Sequence, residues 1–377
     1  YIYRIVNIGG VLMRKLLYQE VEDILIGCTI LSTGGGGDLD KGIKTVKRTF
    51  DEGREFKLLA FEEIRDDSYY VNPYYCGSVK PKDEMNSEKN NMETIRAVKK
   101  LEDYMGIEFE GIVSIEYGGG NTGQAMATAA IMNKCIVDCD AAGRAVPELQ
   151  FSTYCIKSKP ISPFAIATKY GDSIIVTKVH GDERAEALSR VMAEVTDNEV
   201  GMADHPINGM ELKRSVVPHA LSYAEKVGRA RREAEENGVD PIENIIKNTG
   251  GYMLFKGKVE KGTTFQIKDG FTIGTISIGG QNQFRGEKFK IWYKNENMIS
   301  WKNNEIFITC PDLICVLDAE KGYPITNPNC REGDQIAVLG FKSHGIWRSK
   351  EGISLLNPRF FGFDVDYVPI EKKVASK

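Results

Sequence analysis

The chain has 377 residues, 42% of them hydrophobic and 27% charged, enough for a sizeable core and two domains of ordinary size. Its 49 basic and 53 acidic side chains leave a net charge of −4. Nothing in that balance draws the protein to a phosphate backbone or an anionic lipid surface, and no apolar run reaches the ~20 residues of a membrane helix.

The first twelve residues, YIYRIVNIGGVL, precede Met13-Arg14-Lys15. Met13-Arg14-Lys15 reads like a natural start, so these twelve are expected to be an upstream or non-native extension; they lack the basic stretch and cleavage site of a secretory leader. Residues 17–31 place Val21, Ile24, Leu25, Cys28 and Leu31 at helical spacing. Gly34-Gly35-Gly36-Gly37 stops that helix, and Asp38 or Asp40 caps a second one that runs to about Phe50. Strands are expected at 57–61 and 69–76, a polar loop at 80–91 and a helix at 92–105. A strand at 111–115, a small-residue helix at 124–132 and a strand at 135–138 follow. Strands alternating with helices predict a mostly parallel sheet with helices on its faces.

A hairpin around Gly171-Asp172 and helices at 182–194 and 217–236 come next. Beyond Gly250-Gly251, alternating apolar runs recur at 252–258, 263–268, 271–278, 288–293, 306–309, 313–318 and 335–341. The expected architecture is an α/β N-terminal domain over 13–170 with a mostly parallel sheet. A C-terminal α+β domain over 171–377 is helical through 182–248 and β-rich over 250–370. Trp301, Trp347 and the aromatic C-terminal strands are expected in the core.

The eight cysteines contain no CxxC pair and are too sparse for a disulfide scaffold. They read as reduced thiols in a cytoplasmic protein. Four histidines, His180, His205, His219 and His344, form no HxH or HExxH pattern, so a histidine-built zinc site has no support. His219, after Pro218 at a helix start, reads as a surface or capping residue. No GxSxG elbow is present.

The most informative stretch is GIVSIEYGGGNTGQAMATAAIMNKCIVDCDAAGRAVP at 111–147. A strand ends at Ile115-Glu116 and passes through Gly118, Gly119 and Gly120 into a helix beginning near Asn121. Bare glycine amides at a helix N-terminus suit an anion or a carbonyl oxygen. The next strand ends in Asp138-Cys139-Asp140, whose two acids share a face if the strand extends that far. Glu116, Asp138 and Asp140 then stand at carboxyl ends of parallel strands, where open α/β sheets bind ligands. Arg144 and Glu148 follow on a loop marked by Gly143 and Pro147. The same acids could instead cap helices and pair with Arg144.

Gly118, Gly120 and Gly123 also satisfy GxGxxG, with an acid about 20 residues on, as in a dinucleotide-binding unit. The earlier run follows a helix rather than a strand, and Ile43 stands where a P-loop needs lysine. Four consecutive glycines imply close approach to a ligand or to another segment, which makes Gly35, Gly36, Gly37 and Asp38 ligand-binding candidates.

GCTILSTGGGGDLDKG at 27–42, IEYGGGNTGQA at 115–125 and VDCDAAGRAVPELQ at 137–150 resemble the S-methyl-thiohydantoin desulfurase family, associated with hydantoin utilisation. GKVEKGTTFQIKDGFTIGTISIGG at 257–280, NENMISW at 295–301, PDLICVLD at 311–318 and FGFDVDYVPI at 361–370 extend the likeness over nearly the whole chain. Ser32 stands where the family usually has glycine, and the stretch after Gly77, which contains Glu84, is reshaped.

The resemblance implies an N-terminal α/β domain, a β-rich C-terminal domain, a small cyclic substrate and no nicotinamide or flavin. It also brings in two alternatives: a homo-oligomer, or a non-catalytic binding subunit with a hydantoinase- or oxoprolinase-type partner. Chemistry and position give the roles expected of an enzyme. A carboxylate among Glu116, Asp138 and Asp140 acts as base, directly or as ligand of a divalent metal. Arg144 or the Gly118, Gly119 and Gly120 amides hold developing charge. Asn121 and Glu148 help to hold the ring.

Overall fold

A computed structural model describes residues 5–8, 11–77, 92–197, 199–268 and 270–375. The loop expected at 80–91, with Glu84, lies outside the described residues. Contacts divide the chain into two compact units. The first comprises Tyr1–Val21, Gly37–Ala142 and Glu148–Ser222; the second comprises Glu22–Gly36, Gly143–Pro147 and Tyr223–Lys377.

The first unit is built on a mixed sheet. Its strands are β1 (Ile5–Ile8), β2 (Val11–Leu16), β3 (Phe56–Leu59), β4 (Tyr69–Gly77), β5 (Phe109–Ser114), β6 (Cys135–Asp140), β7 (Phe164–Ala167), β8 (Ser173–Val176), β9 (Glu199–Asn208) and the short β10 (Val217–Pro218). They lie in the order β1-β2-β3-β6-β5-β4-β9-β7-β8, with β10 beside β6. The centre, β3-β6-β5-β4, is parallel, and the flanks are antiparallel. The helices along this stretch of chain are α1 (Tyr18–Leu31), α2 (Leu39–Asp51), α3 (Met92–Met105), α4 (Gly119–Ile131), α5 (Thr153–Ile156), α6 (Asp182–Glu194) and α7 (Gly209–Ser215). The expected elements through residue 140 are present, and the strand at 135 extends to Asp140. Residues 5–8, in the stretch read as an extension, pair antiparallel with β2.

Local chemistry sets the boundaries. The Asp38 carboxylate accepts the Lys41 amide at 2.8 Å and starts α2. Glycines let α2 and α4 meet backbone to backbone. A Cβ on Gly42 would fall 2.7 Å from the Gly119 carbonyl carbon, and one on Gly120 would fall 3.0 Å from both Asp38 N and Gly37 Cα. Gly37, the member of the glycine run that belongs to this unit, therefore meets another segment of its own chain.

The stretch 182–248 is not helical throughout. β9 interrupts it, pairs with β4 and β7, and carries the sheet past residue 170, the boundary read from the sequence. Gly201, Asp204, His205 and Pro206 broke its apolar alternation. The first three have a reason in the fold. Gly201 admits α3 against the strand, since a Cβ there would lie 2.5 Å from Glu93 Cβ. His205 takes a left-handed φ of 44° where the pairing with β4 shifts register. Asp204 is buried but accepts the Tyr74 hydroxyl at 2.6 Å.

The second unit holds an antiparallel sheet in the order β16-β15-β14-β13-β11-β18-β17, with β12 beside β13. Its strands are β11 (Tyr252–Val259), β12 (Thr264–Lys268), β13 (Phe271–Gly280), β14 (Lys288–Lys294), β15 (Glu296–Lys302), β16 (Glu305–Thr309), β17 (Leu313–Asp318) and β18 (Gln335–Phe341). Helices α8 (Ala220–Asn237), α9 (Pro241–Thr249), α10 (Lys350–Leu355) and α11 (Ile370–Ala375) complete the chain. Phe255, Phe289, Ile291 and Val338 centre its core.

Within this unit α1 and α8 cross on two glycines. A Cβ on Gly27 would fall 2.5 Å from the Ala224 carbonyl carbon, and one on Gly228 2.7 Å from that of Asp23. Arg232 grips the Asp23 carboxylate beside the crossing. The aromatic tail is not strand. Pro358–Phe361 forms a 3-10 turn, and Phe361 and Phe363 pack on Trp292. Trp347 is buried, whereas Trp301 is only half-buried, under Lys290 and against Phe363.

Candidate functional site

β5 and β6 run parallel with Ser114 opposite Asp140, so Glu116 and Asp140 both lie at the carboxyl edge of the parallel centre. The Ser114 hydroxyl donates to the Glu116 carbonyl at 3.0 Å, which turns the chain toward Gly118. The Glu116 carboxylate accepts from the Asn121 side-chain amide across the glycine loop. α4 then begins at Gly119, two residues before the expected Asn121, with no side-chain cap. Thr122 Oγ1 accepts the Gly118 amide at 3.3 Å, the helix start carries the partial positive charge of its dipole, and the Asp38-capped start of α2 lies against it.

Asp140 is wholly buried, and its Oδ1 accepts the Ala142 amide at 2.8 Å. Asp138, on the same face of β6, is committed elsewhere. Its carboxylate accepts both the amide (2.9 Å) and the hydroxyl of Ser222, in the first turn of α8. It therefore caps that helix from a neighbouring strand. Between them, Cys139 is wholly buried and its thiol is held well above its ordinary range, chiefly by burial, so it is no nucleophile. Burial also pushes Cys135 up to about 12 and half-buried Cys155 up to about 11. Glu148 accepts the Gln150 amide at 2.6 Å.

The remaining candidates belong to the second unit. A Cβ on Gly35 would lie 2.7 Å from the Glu296 carboxyl carbon, and Gly34 packs against Asn327, whose amide donates to the Gly34 carbonyl at 2.9 Å. Gly36 continues the turn at φ 76°. Arg144 is wholly buried, and burial lowers its pKa from the ordinary guanidinium value. Its guanidinium donates to the carbonyls of Ala145 (3.0 Å), Pro311 (2.9 Å) and Asn297 (3.5 Å) and to the Thr33 hydroxyl (3.3 Å). None of these partners is a carboxylate. Arg144 is a clamp on the backbone of its own unit, and the alternative pairing with an aspartate is not among its contacts.

The sequence reading gave no site role to four residues beside these acids: it took His219 for a surface or capping residue and did not single out Glu62, Ser222 or Tyr117. His219 follows β10, which pairs with β6, and its amide donates to the Asp138 carbonyl at 2.8 Å. Glu62 sits on the 3-10 turn Phe61–Glu63 just after β3. Ser222 and Tyr117, whose hydroxyl reaches the Ala220 carbonyl at 2.8 Å, bind the start of α8 to the same edge. Only the Val217-Pro218-His219 break before a helix hinted at any of them. Among the described residues no group of three or more His, Cys, Asp or Glu is disposed to hold a metal ion, so the divalent-metal expectation finds no ligand set there. Among them, too, no helix is long and apolar enough to cross a membrane.

The family model described as "S-Me-THD-like, N-terminal domain" matches residues 19–178, and that described as "S-Me-THD-like, C-terminal domain" matches residues 180–370. The chain belongs to the S-Me-THD-like family. The S-Me-THD-like resemblance read from the glycine and DCD motifs is thereby borne out, as are an α/β N-terminal domain, its sheet parallel at the centre, and a β-rich C-terminal domain. Comparison with curated proteins gives no match. Among solved structures, a protein from Chromobacterium violaceum is similar over 94% of this S-Me-THD-like chain and 99% of its own, at 20% identity and a TM-score of 0.77. That likeness speaks for the fold alone.

Proposed function

We propose that this chain is an enzyme that removes the methylthio group of an S-methyl-thiohydantoin-type ring by adding water. The reading is carried by two acids, Glu116 and Asp140, at neighbouring parallel strand ends beside the uncapped, glycine-lined start of α4. Family membership supplies the ring class.

In such a ring the carbon between the two nitrogens carries the sulfur and a C=N bond. Asp140, held by the Ala142 amide, takes a proton from water as the C–O bond forms. The C=N electron pair moves to the ring nitrogen, which is protonated. The new hydroxyl then loses its proton as C=O forms, and the C–S pair leaves on sulfur. The products are the hydantoin and methanethiol. Glu116 and Asn121, tied to one another, hold the ring polar edge. Backbone amides at Gly119 and Gly120 hold the ring carbonyl oxygen or the developing charge. Asp138 supports the arrangement through α8 rather than reacting. Eight free cysteines, seven of them buried, support a reducing, cytoplasmic setting.

The test is methanethiol release from S-methyl-2-thiohydantoin by the purified chain, read with a thiol reagent, with and without a chelator. Thiol release at a catalytic rate supports the reading. Calorimetric binding of the ring with no thiol released by the chain alone would favour a binding subunit of a hydantoinase- or oxoprolinase-type system.

A further inference from the structure

Among the non-glycine residues of the first unit, His219 combines three properties. Its backbone is left-handed, at φ 54°, a conformation that side chains adopt at a cost. Its imidazole stays about half exposed while neighbouring Asp138 is buried. Both ring nitrogens face carboxylates: Nε2 lies 3.2 Å from Glu62 Oε1, and Nδ1 lies 4.0 Å from Asp138 Oδ2. Phe61 meets the ring edge-on at a centroid distance of 5.6 Å, which limits its rotation.

The backbone places His219 just past β10, level with Asp138 and two residues in from Asp140 along β6. Val217 is opposite Asp140 and Pro218 opposite Cys139, and His219 itself bonds to Asp138. On the other side, Tyr117, next to Glu116, bonds to Ala220. A capping residue needs neither a left-handed backbone nor an exposed ring. An imidazole between two carboxylates is an arrangement that carries protons. The tie to Glu62 joins two exposed groups, so a bound ring can replace it.

Resting on the desulfurase reading above, we propose that His219 is the proton donor of this site. Protonated, it gives its proton to the ring nitrogen that receives the C=N pair. It recovers a proton from the new C–OH as C=O forms and the C–S pair departs on sulfur. The proton that Asp140 took from water goes to the thiolate. Both side chains return to their starting states; the two hydrogens of one water have become a ring N–H and a thiol S–H, and its oxygen the ring carbonyl.

The experiment measures methanethiol release from S-methyl-2-thiohydantoin, together with melting temperature, for wild type, His219→Gln and His219→Gly. We expect kcat to fall on the order of 100-fold or more in both variants, with KM within about threefold. His219→Gly should melt at or above the wild-type temperature, because glycine relieves the left-handed backbone. Imidazole added to His219→Gly should restore activity about tenfold. An active wild type with His219→Gln within twofold of it overturns this assignment and leaves the desulfurase reading standing. Folded but inactive variants with KM raised in step and no imidazole rescue would make His219 a binding or structural residue and also overturn it. No thiol from the wild type overturns the desulfurase reading, and this assignment with it.

Discussion

Replacing Gly42 by alanine sets two physical effects against each other. Gly42 lies in α2, where alanine is favoured over glycine by about 1 kcal/mol. Its position against α4 opposes that gain. The added Cβ would sit 2.7 Å from the Gly119 carbonyl carbon, with the oxygen closer still. Ordinary contact begins near 3.4 Å, so the helices must separate by about 1 Å. The obstacle is backbone, which has no rotamer to turn away, so the upper part of the usual overpacking cost, about 2–3 kcal/mol, applies. The net expectation is a loss of about 1–2 kcal/mol. For a unit of about 200 residues that is a fall of about 2–8 °C in Tm. Gly345→Ala is the control, since a Cβ there meets nothing within 4 Å. Differential scanning calorimetry of both variants decides the matter, and a Gly42→Ala chain that melts above wild type would refute the contact argument.

Asp140→Asn keeps an oxygen for the Ala142 amide but removes the base. Thiol release should fall about 100-fold with little change in Tm, and a destabilised but fully active variant counts against the role. Asp138→Ala uncaps α8 and should lower stability by about 1–2 kcal/mol in urea titration, whereas an unchanged midpoint would contradict the capping role. Arg144→Met leaves the Pro311, Asn297 and Ala145 carbonyls without their donor inside the protein, and should cost at least about 3 kcal/mol, read as a large loss of Tm or of soluble yield. Burial raises the Asp182 carboxyl above its ordinary value. The folded chain thus holds that proton more tightly than the unfolded one, and this contribution is complete below the unfolded pKa of about 3.9 and is lost as pH rises through the folded value. Asp182→Asn should flatten that part of the pH–stability curve, and an identical slope in the variant argues against it.

The parts of this architecture that sequence revealed are those set by neighbours in the chain. Asp38 before α2, the Gly118-Gly119-Gly120 turn between β5 and α4, and the Asp-Cys-Asp strand end all carry local signals, and each sits within a residue or two of its expected place. What escaped depends on distant partners. β9 is a strand because β4 and β7 flank it, while its own residues, including a proline and a left-handed histidine, argue for a break. Asp138 and Asp140 look equivalent in sequence. Only the arrival of Ser222, 84 residues later, assigns one of them to a helix end. Arg144 looked like a charge-bearing site residue because nothing nearby in the chain announces the carbonyls of Asn297 and Pro311 that hold it.

The packing of α1 on α8 bears on how the protein is made. Gly27 cannot meet its partner until Ala224 has been synthesised, roughly 200 residues later, or on the order of 10–40 s at usual translation rates. Through that interval the face of α1 that carries Asp23 and Gly27 waits without the helix that packs on it. The second unit is thus the late-assembling half, although it owns residues 22–36, which precede most of the first unit in the chain. Cutting the gene between residues 178 and 180, where the two family models meet, strands α1 on one fragment and α8 on the other. Neither fragment alone can close that helix pair, so the chain is a poor subject for expression in halves.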